Sequence, residues 1–460
     1  MDNTPPSTIE KMLETQRQFF ATHRTKDVRF RIEQLKKLRS AILRYSPKII
    51  DAMWSDLRKS PEETYVTEID RALQEIEYHI KHLRGWAKPK RVATPFMLFP
   101  LKSKVVYEPL GVALVIASWN SPCQLMMIAL VGAISAGCCA VLKASPYAPA
   151  AAKVMEQLIN ETFAEDYIGL VQGNRDVNIF LLEQRFDIIF FTGSRELGKK
   201  IMLAAAEHLT PVVLELGGKS PCIVDKDADI DVAARRIAWG KTLNAGQICI
   251  SPDYLFIHRS LKREFIIKFE DAIVKMFGSN CRESKHYPRI VNRKAIERLK
   301  GLLQGVNIIY GGEVNEPEKY IAPTLVDGVS ASHPIMQEEI FGPILPILTF
   351  DDINEVTSYV NAHEKPLAIY YFGSRCKEEE ILRKTTAGGT CFNELLLHVA
   401  NYRLPFGGVG SSGVGKFHGK DSFMAFSNSR AIVVNPTWFG VAARYPPFSN
   451  FGILRKVMHL

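Results

Sequence analysis

Apolar positions recur at helical spacing through residues 7–88, as at Phe30, Leu35, Leu38 and Ile42, with Lys36, Lys37 and Arg39 between them. That stretch predicts amphipathic helices. Residues 89–106 run basic and apolar by turns, carry Pro95 and Pro100, and predict an extended arm or hairpin. Beyond them the pattern alternates. Strands are predicted at 112–117, 139–143, 167–171, 187–191 and 212–215, and helices at about 123–136, 148–163 and 195–207. A second alternating region runs from Pro221 to about Phe392, with strand-like Ile223-Val224, Leu255-Phe256-Ile257 and Leu367 to Phe372, and a helix at 229–243. Strands alternating with helices imply an α/β fold whose parallel sheets are covered on both faces.

No charged residue occurs from Gly111 to Leu142, and Leu125 to Leu142 has the apolar density of a membrane span. Ser118-Trp119-Asn120-Ser121-Pro122 interrupts the run. A buried strand, a helix opened by Pro122 and ended by Gly137, and a second strand explain it without lipid. Gly193 to Lys199 and Gly410 to Lys416 match the phosphate-loop spacing, but Lys200 and Phe417 stand where a magnesium-binding hydroxyl is needed. Gly408-Val409-Gly410-Ser411-Ser412-Gly413 fits a dinucleotide fingerprint, yet no strand is evident before it and too little chain follows for a βαβ unit.

The chain has 460 residues, 47% apolar and 23% charged, a length that predicts two or three domains. Its net charge of +9 is spread along the sequence, with a concentration between Arg24 and Arg44 that reads as the wet face of a helix. No nucleic-acid partner is expected. Eight cysteines, two of them adjacent (Cys138, Cys139), suggest free thiols in a reducing compartment, and Met1 to Pro6 does not read as a secretory signal. A cytoplasmic location is expected, and no metal.

Candidate chemistry lies in two segments. Leu214-Glu215-Leu216-Gly217-Gly218-Lys219 offers a carboxylate as base, and Asn244-Ala245-Gly246-Gln247-Ile248-Cys249 a thiol that can attack a carbonyl carbon. A lone cysteine would read as structural. Together the two segments, with Thr210-Pro211-Val212-Val213 before and Ser251-Pro252-Asp253-Tyr254 after, resemble the signatures of the aldehyde dehydrogenase superfamily, most like its class 3 branch of fatty and aromatic aldehyde dehydrogenases. The resemblance covers roughly residues 25–432. It implies a Rossmann-type cofactor domain (1–88 and 107–215), an α/β catalytic domain (216–392), a small β oligomerisation arm (89–106 and 393–432) and a tail from 433 to 460.

It also implies roles, residue by residue. Cys249 is the expected nucleophile, forming a thiohemiacetal and then a thioester, and Glu215 the base that activates the releasing water. Asn120 would stabilise the oxyanion with the Cys249 N–H. Lys143 matches the lysine on the adenosine ribose. Phe191-Thr192-Gly193-Ser194 through Gly198 matches the loop and helix start by the pyrophosphate. In Glu339-Ile340-Phe341-Gly342-Pro343, Glu339 would hold the nicotinamide ribose and Phe341 would pack by the ring. Phe406 is expected at the substrate entrance, and His398 and His418 are expected to be structural. NAD, NADP or both are the implied cofactors and a homodimer the implied assembly.

Two departures bear on specificity. Ala144-Ser145-Pro146 follows Lys143 where the family commonly has Pro-Ser-Glu, which removes a repulsion against a 2′-phosphate and favours NADP alongside NAD. Ser121 and Cys123 replace larger rings common in relatives, suggesting a wider inner tunnel for medium- or long-chain or aromatic aldehydes. The aromatic, basic tail from Pro436 to Leu460 is too short in apolar length to span a bilayer and suits subunit packing, with peripheral membrane contact as the alternative. Competing activities are a CoA-acylating dehydrogenase, a cysteine esterase or hydrolase, and an idle scaffold; the intact Asn120, Glu215 and Cys249 oppose the last.

Overall fold

The computed structural model describes residues 2–440, 445–448 and 451–458. Part of the aromatic tail (441–444, 449–450 and 459–460) therefore lies outside the described residues. Within them, helices Pro6–Ala21, Val28–Leu57 and Asp70–Trp86 occupy the N-terminal region. In Val28–Leu57, Leu35, Leu38 and Ile42 are buried, while Lys36 and Lys37 face water and Arg39 pairs with Glu77 at 2.7 Å. The basic face is solvated, as its spacing implies.

Five parallel strands form the first sheet, in the spatial order Val212–Leu216, Ile188–Gly193, Val112–Ile116, Cys139–Lys143 and Ile168–Val171. In chain order this is the doubly wound arrangement, whose direction of winding reverses between Val112–Ile116 and Ile188–Gly193. Ligands bind outside the carboxyl ends of the strands at such a reversal. Helix Arg175–Glu183, absent from the periodicity reading, connects two of these strands. A two-residue strand, Gly413–Val414, closes the edge antiparallel to Leu214 and Glu215, so the glycine-rich 408–413 segment leads into the sheet edge through its last residue.

The charge-free run becomes helix Pro122–Ala136 between two strands. Fifteen residues span roughly 22 Å. Among the described residues no helix is long and apolar enough to cross a membrane. Pro122 occupies the first turn, and Gly137 ends the helix at φ 96°, where a Cβ would press on Thr25 O. The helix is buried almost all round, partly under Gly419–Ala425, with Gly132 facing Ser422 and Phe426.

A second sheet of seven strands contains Pro221–Val224, Tyr254–His258, Ile344–Phe350 and Ala368–Phe372 in parallel, and helix Ile230–Thr242 leads toward Cys249. A three-stranded antiparallel sheet joins Lys90–Val92, Lys102–Pro109 and Ser427–Val434.

A buried cluster ties the helices to the C-terminal segment. His79 sits 3.1 Å from Glu75 Oε1 and 2.6 Å from Ser135 Oγ, and His418 Nδ1 lies 3.6 Å from Glu75 Oε2. Burial opposes the Glu75 charge, but the adjacent His418 and His79 rings outweigh it and hold the carboxyl down at about 2. A depressed carboxyl pKa stabilises the fold above its ordinary value of 4.5, and the contribution disappears as pH falls toward 2. Glu75→Gln is expected to lower unfolding free energy by about 3 kcal/mol at neutral pH. In urea titrations the gap between wild type and variant should narrow below pH 4.5.

Candidate active site

Asn120 follows strand Val112–Ile116 and precedes Pro122, Glu215 lies on strand Val212–Leu216, and Cys249 follows the loop after helix Ile230–Thr242. Together with Gly193, Ser194, Glu339 and Phe341 they line one cavity of about 620 Å³, within the usual range for ligand sites. It opens at the reversal of the first sheet, where the doubly wound topology places it.

The loop leading to Cys249 has an unusual backbone. Asn244 and Ala245 are left-handed at φ 49° and 51°, and Gly246 follows at φ 72° with Gly342 O where its Cβ would be. Such a loop persists only where its surroundings fix it. Gln247 supplies much of the fixing: Nε2 donates to Asn244 O at 2.9 Å and Arg289 O at 3.0 Å, and Oε1 accepts from Val291 N at 3.0 Å. Asn244 Nδ2 donates to Asn120 O at 3.0 Å. Asn120 Nδ2 donates to Gln247 O at 3.1 Å, leaving its second N–H without a protein partner.

Glu215 is 1% exposed, and among the described residues neither carboxylate oxygen has a hydrogen-bond partner. Burial pushes it up to about 7, with the neighbouring Cys249 side chain opposing the shift. The Cys249 thiol is itself pushed well up, first by burial and then by Glu215 and Glu339. Burial, followed by Asp253, lifts Glu339 to about 8. A carboxyl near neutrality beside a half-buried thiol suits proton transfer from water.

Glu339 reaches this position because Gly217 has no side chain: a Cβ there would lie 2.5 Å from Glu339 Oε2. Its loop is anchored by Lys219, which pairs with Asp253 and donates to Ile335 O and Glu338 O at 2.8 Å each, while Ile340 N donates to Asp253 Oδ1 at 2.8 Å. These anchors, with Asn244 and Gln247, were not singled out from sequence. Only the clustering of Gly217, Lys219 and Gln247 around the two chemical residues hinted at them.

Ser194 caps helix Arg195–Ala206 by accepting from Leu197 N at 3.3 Å, and Arg195 and Glu196 line the cavity at the helix start. An exposed helix N-terminus there fits a diphosphate. Gly198 does not reach the cavity; a Cβ would collide with Leu216, so it is a packing glycine. Lys143 is likewise absent from the lining, and its buried Nζ donates to Ala144 O and Gly173 O at 2.6 and 2.8 Å. Phe406 is buried against Phe417 and His418 and does not line this cavity. Ser121 and buried Cys123 do not line it either, so the cavity gives no support to the wider-tunnel expectation. His398 contacts Cys391 Sγ at 3.1 Å, and burial lowers it to about 4, away from a neutral-pH base.

Gly246→Ala is expected to reduce turnover by at least about tenfold, because the added Cβ drives the loop off Gly342 O. Steady-state kinetics on the folded variant would measure it.

A family model described as "Aldehyde dehydrogenase family" matches residues 2–432. The 4,4'-diaponeurosporen-aldehyde dehydrogenase of Staphylococcus aureus is 44% identical over 445 residues, covering 96% of this chain and 97% of that protein. A dog protein named "Aldehyde dehydrogenase, dimeric NADP-preferring" is 39% identical, covering 96% and 98%. A solved structure, "Substrate bound state of Staphylococcus Aureus AldH", superposes with a TM-score of 0.96 at 43% identity, covering 98% of this chain and 99% of that one. With that coverage and the ordered site, this chain belongs to the aldehyde dehydrogenase family.

Proposed function

We propose that the chain oxidises a medium- or long-chain aliphatic or aromatic aldehyde to the carboxylic acid, using NAD or NADP, through a thioester on Cys249. The observation carrying this reading is the unpartnered Glu215 carboxylate beside Cys249, in a cavity edged by a helix N-terminus. Cys249 Sγ passes its proton through the neighbouring Glu215 carboxylate to solvent and bonds the aldehyde carbon, and the free Asn120 N–H is available to the oxyanion. When bound, the oxidised nicotinamide supplies the hydride acceptor. Ser194, Arg195 and Glu196 would hold the diphosphate, and Glu339 and Phe341 the nicotinamide end. Glu215 then takes a proton from the water that cleaves the thioester. A CoA thiol as acceptor fits less well, because a buried carboxyl near neutrality is the base that water needs.

The absence of a carboxylate at Pro146 supports NADP use, and so does the name of the dog relative. The preference for larger aldehydes rests on the small residues at Ser121 and Cys123 in the sequence, not on the cavity lining. The three-stranded sheet, with strand Ser427–Val434 at one edge, suits the proposed homodimer arm, and the exposed Trp438 suits packing of the tail across subunits. Eight free cysteines suit a cytoplasmic location.

Cys249→Ser should abolish NAD(P)H formation across an aldehyde series, and acetaldehyde should not be the best substrate by kcat/KM. With NADP, kcat/KM is expected within about tenfold of that with NAD; a larger preference for NAD would refute the Pro146 argument. Because Glu215 must be ionised to act, kcat should rise as pH increases through about 7. Glu215→Gln should lower kcat by about a hundredfold or more and remove that rise.

A further inference from the structure

We infer that Glu63, in the N-terminal helical region, is a positioning residue that sets the nucleophile loop and the oxyanion amide through Asn244. The inference rests on the roles proposed for Asn120 and Cys249. Glu63 lies in the short helix Pro61–Thr64, where its own N–H donates to the Ser60 Oγ cap at 3.2 Å. Its Oε1 accepts from Asn244 N at 2.8 Å. Asn244 is 1% exposed and left-handed, so removing Glu63 leaves a buried N–H unpaired in a strained backbone.

The link continues inward. Asn244 Nδ2 donates to Asn120 O at 3.0 Å and Gln247 O at 3.2 Å, and Gln247 O also receives Asn120 Nδ2. One carboxylate at the loop entrance thus fixes the residue that ties the oxyanion amide to the cysteine loop. A neighbouring pair braces the other side: Lys59 Nζ meets Glu68 Oε1 at 2.9 Å, both buried, and Glu68 Oε2 accepts from Gln124 N at the start of helix Pro122–Ala136. The segment just before Asn244 and the helix just after Asn120 therefore rest on the same few helical residues. Burial, opposed chiefly by Lys59, raises the Glu63 carboxyl to about 7.

The test uses full-length Glu63→Ala and Glu63→Gln in two assays, each run well below the variant's Tm. One is aldehyde oxidation at saturating cofactor; the other is p-nitrophenyl acetate hydrolysis without cofactor, which needs Cys249 and the oxyanion amide but no hydride acceptor. Glu63→Ala is expected to lower kcat in both by about tenfold, as misplacement at a distance does, with cofactor KM within about twofold of wild type. Glu63→Gln, whose Oε1 still accepts, should recover most of the loss. Retention of more than half the wild-type kcat by Glu63→Ala, or a Glu63→Gln variant as impaired as alanine, would overturn the inference. If Glu63→Ala does not fold, Glu63→Asp, one methylene short of Asn244 N, is held to the same thresholds. A wild-type chain that hydrolyses the ester but oxidises no aldehyde sinks the proposed function and leaves this inference to the ester assay; hydrolysis of neither overturns both.

Discussion

Cys249 lies between two carboxyl groups, Glu215 and Glu339, in a pocket that water reaches poorly, and all three are pushed toward their protonated forms. Low dielectric makes each charge expensive and makes each charge raise the others. Of the three, Glu215 gives up its proton most readily, as pH rises through about 7. The surrounding structure holds this arrangement in place: Gly217 lets Glu339 come near, Gly413–Val414 flanks the Glu215 strand, and Gln247 fixes the cysteine loop.

The three chemical groups come from three separate elements, and the protein keeps their spacing with hydrogen bonds to backbone rather than with packing alone. Gln247 bridges to Arg289 and Val291, Lys219 and Asp253 clamp the Glu339 loop, and Asn244 reaches Asn120. Backbone partners suit this task because their positions are fixed by sheet and helix, so a single amide or ammonium can set a loop to within a fraction of an ångström.

Much of this was legible in sequence where local chemistry determines local shape. The strands around the first sheet are apolar and β-branched, and Pro122 and Gly137 mark a helix's two ends, so those elements fell within one or two residues of their predicted bounds. Helix Arg175–Glu183 carries a weaker pattern, with Val177 and Leu181 as its buried residues. Glu215 and Cys249 stood out because small residues crowd around them, whereas Asn120, Gly193, Ser194, Glu339 and Phe341 were placed by resemblance. Lys143, Gly198 and Phe406 were assigned to ligand contact by resemblance, while their packing partners Gly173, Leu216 and Phe417 come from distant parts of the chain that no local pattern connects. For the same reason the anchors Lys219 and Asp253, 34 residues apart, were invisible until folded.

The helix Gly419–Ala425 is made about 300 residues after the helix Pro122–Ala136 that it covers, and the edge strand Gly413–Val414 about 200 residues after the strand Val212–Leu216 that it flanks. Leu110 N and Cys138 Sγ both donate to Phe426 O, and Gly132 lies against Phe426 and Ser422. A chain still being synthesised therefore carries an apolar, uncharged helix with one flank bare, and the strand bearing Glu215 has an open edge. Domains usually fold as units in order of emergence. Here the order of synthesis and the order of closure are opposed: the core around helix Pro122–Ala136 stays open until residues 413–426 have emerged.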